Sequence, residues 1–205
     1  MPYLAVALAV LLVLQATPAA AGVPTEQLKQ HVDEVIRVLD DQSTKGHSAQ
    51  RHAAVRRIAE NIFDYPDTAR RSLGTHWATR TPEEQKEFIA IFADLLDRAY
   101  LSKIDLYQGE KVRYGAETVE GDLATVKTTL VTPKGTSVPV DYRMHLVGGR
   151  WLVYDVIIEG VSLVANYRTQ FNKIVQTESY ASLVQKMRAK QAEPAASPRT
   201  SPRER

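Results

Sequence analysis

The sequence predicts an α+β protein, with helices towards both ends of the chain and an antiparallel sheet between them. Three observations support this class. Apolar residues recur with a helical period over residues 25–104 and again after residue 162. Between residues 111 and 158 they alternate with a period of two. Short turns containing glycine separate the alternating stretches, as in a sheet built from hairpins.

Residues 1–21 are predicted to form a signal peptide. The apolar run from Ala5 to Leu14 is about ten residues long, too short to span a bilayer. Three alanines at positions 19–21 provide a small-residue cleavage site before Gly22. The chain contains no Cys, so packing rather than disulfides must stabilise the exported domain, and a lipid-modified N-terminal Cys is excluded. We expect export and a soluble mature protein.

The first two predicted helices each have one apolar face. One runs from Thr25 to about Asp41, and the other follows a polar break at residues 43–46. The spacing is typical of helices buried on one side: Leu28, Val32, Val35, Ile36 and Leu39 in the first, and Val55, Ile58, Ala59 and Ile62 in the second. A short third helix is predicted from about Pro66 to Leu73, ending at Gly74.

A long fourth helix is predicted from Pro82 to about Ile104. Thr81 can cap its first turn, proline suits the first helical position, and Glu84 can close a capping box. The apolar face of this helix is formed by Phe88, Phe92, Leu95, Leu96, Ala99 and Tyr100.

The sheet is predicted as a meander of four antiparallel strands, at Lys111–Ala116, Leu123–Thr132, Ser137–Val147 and Arg150–Ile158. Turns at residues 120–122, 133–135 and 148–149 connect them. The third strand has the clearest alternation, because one face carries Val138, Val140, Tyr142, Met144 and Leu146.

A C-terminal helix capped by Ser162 is predicted to fold back over the sheet. Its apolar face carries Leu163, Val164, Tyr167, Phe171, Ile174 and Val175. Residues 192–205 are rich in Ala, Pro, Ser and Arg and are predicted to be a disordered tail. Residues 22–191 then form one α+β domain.

Composition excludes several classes of function. The formal net charge of +2 gives no nucleic-acid-binding signature. The five His include no pair at helical i, i+4 spacing and Cys is absent, so no metal site is predicted. The sequence contains no glycine-rich phosphate loop, and we expect no cofactor. Ser162 lacks the second glycine of a nucleophile elbow and is interpreted as a helix cap.

Asp155 is the notable polar residue, because an ionised carboxylate inside an apolar strand is costly unless it is paired. It is interpreted either as a structural partner of an Arg or a backbone donor, or as a general base in a cavity. Simple alternation would place it on the face of Trp151, Val153 and Ile157. The opposite face would then carry Leu152, Tyr154, Val156 and Ile158, and one of these two sets would face a cavity.

Three stretches resemble the MlaC family of periplasmic phospholipid-binding proteins, also described as toluene-tolerance auxiliary components of an ABC transporter. The most specific is WLVYDV at residues 151–156, followed by EGVSLV at 159–164 and by Tyr167, Arg168 and Phe171. TPEEQ at 81–85 with the apolar face that follows it resembles the long helix of the family, and PVDY at 139–142 resembles its central strand. The resemblance covers about residues 25–188 and does not separate the chain from a hopanoid-associated branch.

The resemblance implies a cone akin to nuclear transport factor 2, in which a curved antiparallel sheet and its helices enclose an apolar cavity for lipid tails. It implies a periplasmic shuttle for a glycerophospholipid, or a hopanoid, between an outer-membrane lipoprotein complex and the substrate-binding component of an inner-membrane ABC transporter. No cofactor and no catalytic residue come with it.

Candidate lipid contacts follow from the apolar faces: Phe92, Leu96, Tyr100, Val140, Tyr142, Met144, Val156, Ile158, Val161, Val164, Tyr167 and Phe171. Each of them could equally be ordinary core, because periodicity alone does not separate a hollow interior from a filled one. Arg168 is a candidate head-group ligand, with a structural or solvated pair as its alternative. Two rival functions stay open: an enzyme with Asp155 as base and Tyr142 or Tyr154 as hydrogen-bond donor, and a docking adaptor with a filled core.

Overall fold

The computed structural model describes residues 23–44 and 46–192 of the 205-residue chain, with side chains at all of these except 101 and 102. The predicted signal peptide and residues 193–205 of the predicted tail lie outside the described residues. Within the described residues, no helix combines the length and apolar character needed to cross a bilayer.

The N-terminal helices are α1 (Pro24–Asp40), α2 (Ser48–Ile62) and α3 (Tyr65–Leu73). Asp64 lies in the predicted break between α2 and α3 and caps α3, because its carboxylate accepts a hydrogen bond from the Asp67 amide at 2.8 Å. Gly74 ends α3 with a φ of 61°, a conformation that favours glycine.

Helix α4 (Pro82–Ile104) has the predicted bounds and the predicted capping box. The Thr81 hydroxyl accepts a hydrogen bond from the Glu84 amide at 3.2 Å, and the Glu84 carboxylate accepts one from the Thr81 amide at 2.9 Å. These two bonds satisfy backbone donors that a helix start otherwise leaves unpaired.

The sheet is an antiparallel meander in chain order, which confirms the α+β class. Its strands are β1 (Lys111–Glu120), β2 (Leu123–Val131), β3 (Ser137–Val147), β4 (Arg150–Ile158) and β5 (Val161–Ser162). The prediction of four strands missed β5, which is too short to show an alternating pattern. It follows a two-residue turn in which Glu159 and Gly160 both have positive φ, as in a type I′ hairpin.

Two β-bulges explain further differences from the predicted strands. In β1, the register shifts between Tyr114 and Glu117, and pairing continues to Glu120 rather than ending at Ala116. In β4, Tyr154 is the extra residue, because Met144 pairs with Val153 while Arg143 pairs with Asp155.

The β4 bulge also overturns the predicted faces of that strand. Val153 and Val156 point to the same side, since they pair with Met144 and Tyr142, which lie on one face of β3. Asp155 pairs with Arg143 and points to the opposite side. An uninterrupted alternation would have grouped Asp155 with Val153, which is wrong.

The C-terminal segment forms two helices, α5 (Leu163–Thr177) and α6 (Tyr180–Ala192), where one was predicted. The helical path breaks at Glu178, which has φ −129° and ψ −89°. The Ser179 hydroxyl then accepts a hydrogen bond from the Ser182 amide at 3.0 Å, which starts α6. Helix α6 also includes residue 192, which the sequence had placed in the tail.

Most of the buried apolar residues in the described part of the chain form two separate cores. A helical core joins α3, α4, α5 and α6 through Phe88, Phe92, Phe171, Leu183 and Met187, among others. A sheet core lies between α1, α2 and the sheet, and contains Leu28, Ile62, Ala124, Val126, Met144, Trp151 and Val153. The candidate site adjoins the second core.

Candidate functional site

The inner face of the sheet, defined here as the face that carries Val126, Tyr142 and Met144, is covered by helices but not filled along its whole length. Two adjoining cavities lie between it and helices α1, α2 and α4. The larger cavity has a volume of about 450 Å³, and the smaller has a volume of about 320 Å³. Both fall in the size range of ligand pockets, which is roughly 300–1,000 Å³.

The larger cavity, called the larger lobe below, lies beside α1. Its walls come from the apolar faces of α1 and α2, from the residues that follow α4, and from β1, β2 and β4: Leu28, Val32, Val35, Ile36, Leu39, Ile58, Ile62, Leu106, Val112, Leu130 and Val153. A few polar residues border it, among them His31, Lys103 and Glu110. Leu106 is 46% exposed and marks an opening to solvent at this end of the molecule.

The smaller cavity, called the smaller lobe, lies towards β4 and the start of α5. Its apolar walls include Leu96, Val140, Val156, Ile158 and Leu163. One edge is polar, because Asp97 and Tyr65 border the lobe and the Tyr65 hydroxyl donates a hydrogen bond to Asp97 at 3.3 Å.

Arg56 completes this polar edge through an ion pair with Asp97, at 2.7 Å between Nε and Oδ2. Burial raises the pKa of Asp97, and the charge of Arg56 and the Tyr65 hydrogen bond offset only part of that rise. Burial, with the charge of Asp97, also raises the pKa of the Tyr65 hydroxyl. The cluster therefore links α2, α3 and α4, with Asp97 largely buried and Arg56 partly exposed.

Among the residues whose side chains are described, six border both lobes and form a ridge between them: Val55, Ala59, Phe63, Tyr100, Ile104 and Tyr142. Tyr142 contributes to this ridge from the sheet, because it lies on the inner face between Val126 and Val156. Burial raises the pKa of Tyr142 to about 12, so its hydroxyl is neutral at physiological pH. Tyr100 contributes from α4 and is 42% exposed, so the ridge reaches the surface.

Asp155 is among the residues that border the smaller lobe, but it points away from the inner face, and its carboxylate is engaged by three partners. It accepts hydrogen bonds from the Ser162 hydroxyl at 2.7 Å and the Val164 amide at 3.0 Å, and pairs with Arg143 at 3.3 Å. The Ser162 hydroxyl in turn accepts the Ala165 amide at 3.0 Å, which confirms the predicted cap. This arrangement supports the structural interpretation of Asp155, because a general base needs an oxygen free for a substrate proton.

Half of the twelve predicted contact residues border the lobes: Leu96, Tyr100, Val140, Tyr142, Val156 and Ile158. The others lie elsewhere. Phe92, Phe171 and Tyr167 belong to the helical core, and Met144 belongs to the sheet core. Val164 is buried at the start of α5, and Val161 is 60% exposed. Contact with a ligand stays a prediction for all twelve.

Arg168, the candidate head-group ligand, lies on the exposed side of α5 and borders neither lobe. Its Nε donates a hydrogen bond to the Arg71 carbonyl at 2.9 Å, and its side chain packs against Gly74. The contact links α5 to the end of α3, which agrees with the structural alternative stated for this residue.

The sequence prediction missed the contribution of α1 and α2 to the cavity walls. Their apolar faces were visible, but they were assigned to core packing. The structure shows that Val32, Val35, Ile36 and Ile58 are only half-buried although they lie on those faces, because they border a void. Periodicity identified the apolar face of each helix, but it did not indicate whether that face contacts other side chains or a cavity.

Comparison with known proteins identifies a family. The model of the MlaC protein family matches residues 29–189. The intermembrane phospholipid transport system binding protein MlaC of Haemophilus influenzae is 22% identical over 127 residues, covering 60% of this chain and 59% of that protein. The toluene tolerance protein ttg2D of Pseudomonas putida is 25% identical over 125 residues, covering 60% and 58%. The chain thus spans just under three fifths of these two curated relatives.

A solved structure extends the similarity to nearly the whole described fold. A phospholipid-binding protein from Ralstonia solanacearum, solved in complex with a phospholipid, matches with a TM-score of 0.74 and 26% sequence identity. The match covers 82% of this chain and 96% of that protein.

Proposed function

The chain belongs to the MlaC family, since the family model matches residues 29–189, and we propose that it is a carrier that binds a phospholipid by its acyl tails. The observation that carries this proposal is the pair of adjoining apolar lobes between the inner face of the sheet and helices α1, α2 and α4. The similar fold of a protein solved with a bound phospholipid gives it further support.

The energetics of the lobes suit a carrier. Burying one methylene away from water is worth about 0.8 kcal/mol, so a tail of some 14 carbons is held by roughly 11 kcal/mol against escape into water. Against a membrane the gain is close to zero, because an apolar lobe replaces an equally apolar bilayer. A lipid can therefore be loaded and released at membranes without being lost between them.

The opening at the end of α4 is the proposed position of the head group. Tyr100 and Leu106 expose apolar surface there, and Lys103 brings a cation to the rim of the larger lobe. A cation at the mouth can pair with a lipid phosphate while the tails lie inside. Lys103 therefore replaces Arg168 as the head-group residue in this proposal.

The route of the carrier is also part of the proposal. The predicted signal peptide would deliver the chain to the periplasm, where it would move lipid between an outer-membrane lipoprotein complex and an inner-membrane ABC transporter. These partners would open the path to the lobes, since tails enclosed by α1, α2 and α4 need a displacement of the helices or the sheet to leave. A hopanoid is the alternative ligand, and the predominantly apolar walls suit it as well.

The test is native mass spectrometry, with organic extraction, of protein expressed from the full chain and purified without detergent. We expect a mass increase that matches a diacyl phospholipid, and extraction should recover that lipid. Protein that carries no lipid, under conditions that preserve noncovalent complexes, would contradict the carrier proposal and favour an adaptor.

A matched pair of substitutions in β3 makes the test specific to the lobes. Val140→Trp introduces a large side chain into the smaller lobe and should lower lipid occupancy. Val147 lies on the opposite face of the same strand, so Val147→Trp should leave lipid occupancy unchanged. Equal occupancy in the two variants would show that Val140 does not contact the lipid.

A further inference from the structure

The two lobes differ in position but share a wall. The larger lobe extends towards α1 and β1, and the smaller lobe extends towards β4 and α5. The ridge between them is formed by side chains from the helices above and by Tyr142 from the sheet below. A flexible chain that enters one lobe therefore has to bend around the ridge to reach the other.

The volumes set how much hydrocarbon each lobe can hold. An apolar cavity of about 150 Å³ holds one benzene molecule, or about six carbons, so on the same scale the larger lobe holds about 18 carbons and the smaller about 13. A lipid with two myristoyl tails carries about 28 tail carbons, about 14 in each tail. Neither lobe has room for both tails, but the two lobes together do.

The ridge meets the surface where a glycerol backbone would have to lie. Tyr100 borders both lobes and is 42% exposed, so the ridge between the lobes reaches the protein surface at this residue. Two tails that diverge from one glycerol at this point can pass on either side of Tyr100 and Tyr142. A ligand with one tail can follow only one of these paths.

From these observations, which rest on the proposed function, we infer that each lobe takes one acyl tail and that the ridge at Tyr100 and Tyr142 separates them. The ligand class is then a lipid with two tails. A lysophospholipid, which has one tail, leaves the second lobe open, and a second lysophospholipid can enter it. The expected stoichiometry is one two-tailed lipid or two one-tailed lipids per chain.

Stoichiometry can be measured by native mass spectrometry of delipidated protein, expressed from the full chain. The probes are dimyristoyl phosphatidylethanolamine and myristoyl lysophosphatidylethanolamine. Three matched strand variants show which lobe a tail occupies. Val112→Trp fills part of the larger lobe, Val140→Trp fills part of the smaller lobe, and Val147→Trp lies outside both and is the control. Circular dichroism checks that each variant is folded. If Val112→Trp is not folded, Ile36→Trp replaces it in the larger lobe, and Ile158→Trp replaces an unfolded Val140→Trp in the smaller lobe.

We expect wild type and the control to bind one dimyristoyl lipid or two lysolipids. Each lobe variant should bind one lysolipid and should lose at least tenfold in dimyristoyl occupancy. Saturation of wild type at one lysolipid, or a lobe variant that keeps dimyristoyl occupancy within twofold of wild type, overturns this inference but not the carrier proposal. A wild type that binds neither probe overturns both.

Discussion

Replacing Asp155 tests the structural role that its three partners assign to it. Asp155 is 3% exposed, and its carboxylate holds together β4, β5 and the first turn of α5, through the Ser162 hydroxyl and the Val164 amide. Asp155→Ala removes both acceptor oxygens and leaves these two donors without their partner. The expected result is a large loss of folding stability without a specific loss of ligand binding.

The size of the loss follows from the contacts. A hydrogen bond to a charged group is worth about 1.5–3 kcal/mol, so the loss of two such bonds should cost about 3–6 kcal/mol. The Arg143 pair adds less than about 1 kcal/mol, because the Arg143 side chain is 46% exposed and solvent screens the charge. Asp155→Asn keeps the shape and one acceptor oxygen, so we expect an intermediate loss. Arg143→Ala should cost least.

Urea unfolding of the lipid-free protein, followed by tryptophan fluorescence, measures these differences. Trp151 is buried in the sheet core and reports its exposure on unfolding. A free energy of unfolding for Asp155→Ala within about 1 kcal/mol of wild type would refute the assignment. So would an Arg143→Ala variant that is less stable than Asp155→Ala. Loss of lipid binding by a folded and stable Asp155→Asn would instead point to a role in the smaller lobe.

Two further predictions concern the packing of the helical core and the stability of the protein at acid pH. Phe88 has no exposed surface and packs against Phe92 and Phe171, so Phe88→Ala should cost about 3–5 kcal/mol in urea unfolding; a loss under about 1 kcal/mol would contradict a filled core. Burial raises the pKa of Asp67, but hydrogen bonds from Arg71 and Arg70 outweigh it and hold the pKa below its ordinary value. Its contribution to stability is therefore present above about pH 4 and is lost as pH falls further. The free energy of unfolding, measured as a function of pH, should fall less steeply below about pH 4 for Asp67→Asn than for wild type. Equal slopes would contradict this.

Much of the fold was predictable from local patterns, because the forces that set it act over a few residues. The capping box at Thr81 fixed the start of α4, and glycine-containing turns separated the strands. Ser162 was recognisable as a cap from its place between a strand and an apolar helical face. The stretches that resemble the MlaC family supported the same arrangement, and the family match bears them out.

The candidate site was predictable only in part. Tyr142 and Val140 were found because strand alternation assigns residues to a face, and they border the lobes. Phe92 and Phe171 were named as well, yet they fill a core with α6, a helix that the sequence did not separate from α5. The bulge at Tyr154 could not be read from alternation, since one inserted residue reverses the faces without changing the residue types.

The amino-acid sequence alone indicated the order of the elements, apart from β5 and the division between α5 and α6, and it indicated the apolar side of most of them. It did so because periodicity and capping are properties of a short segment. Whether an apolar side meets another side chain or a void depends on the distance and orientation of distant segments, and that is a property of packing. Val35 on α1 and Phe88 on α4 both lie on apolar faces, but only the assembled fold leaves the first beside an open lobe and encloses the second.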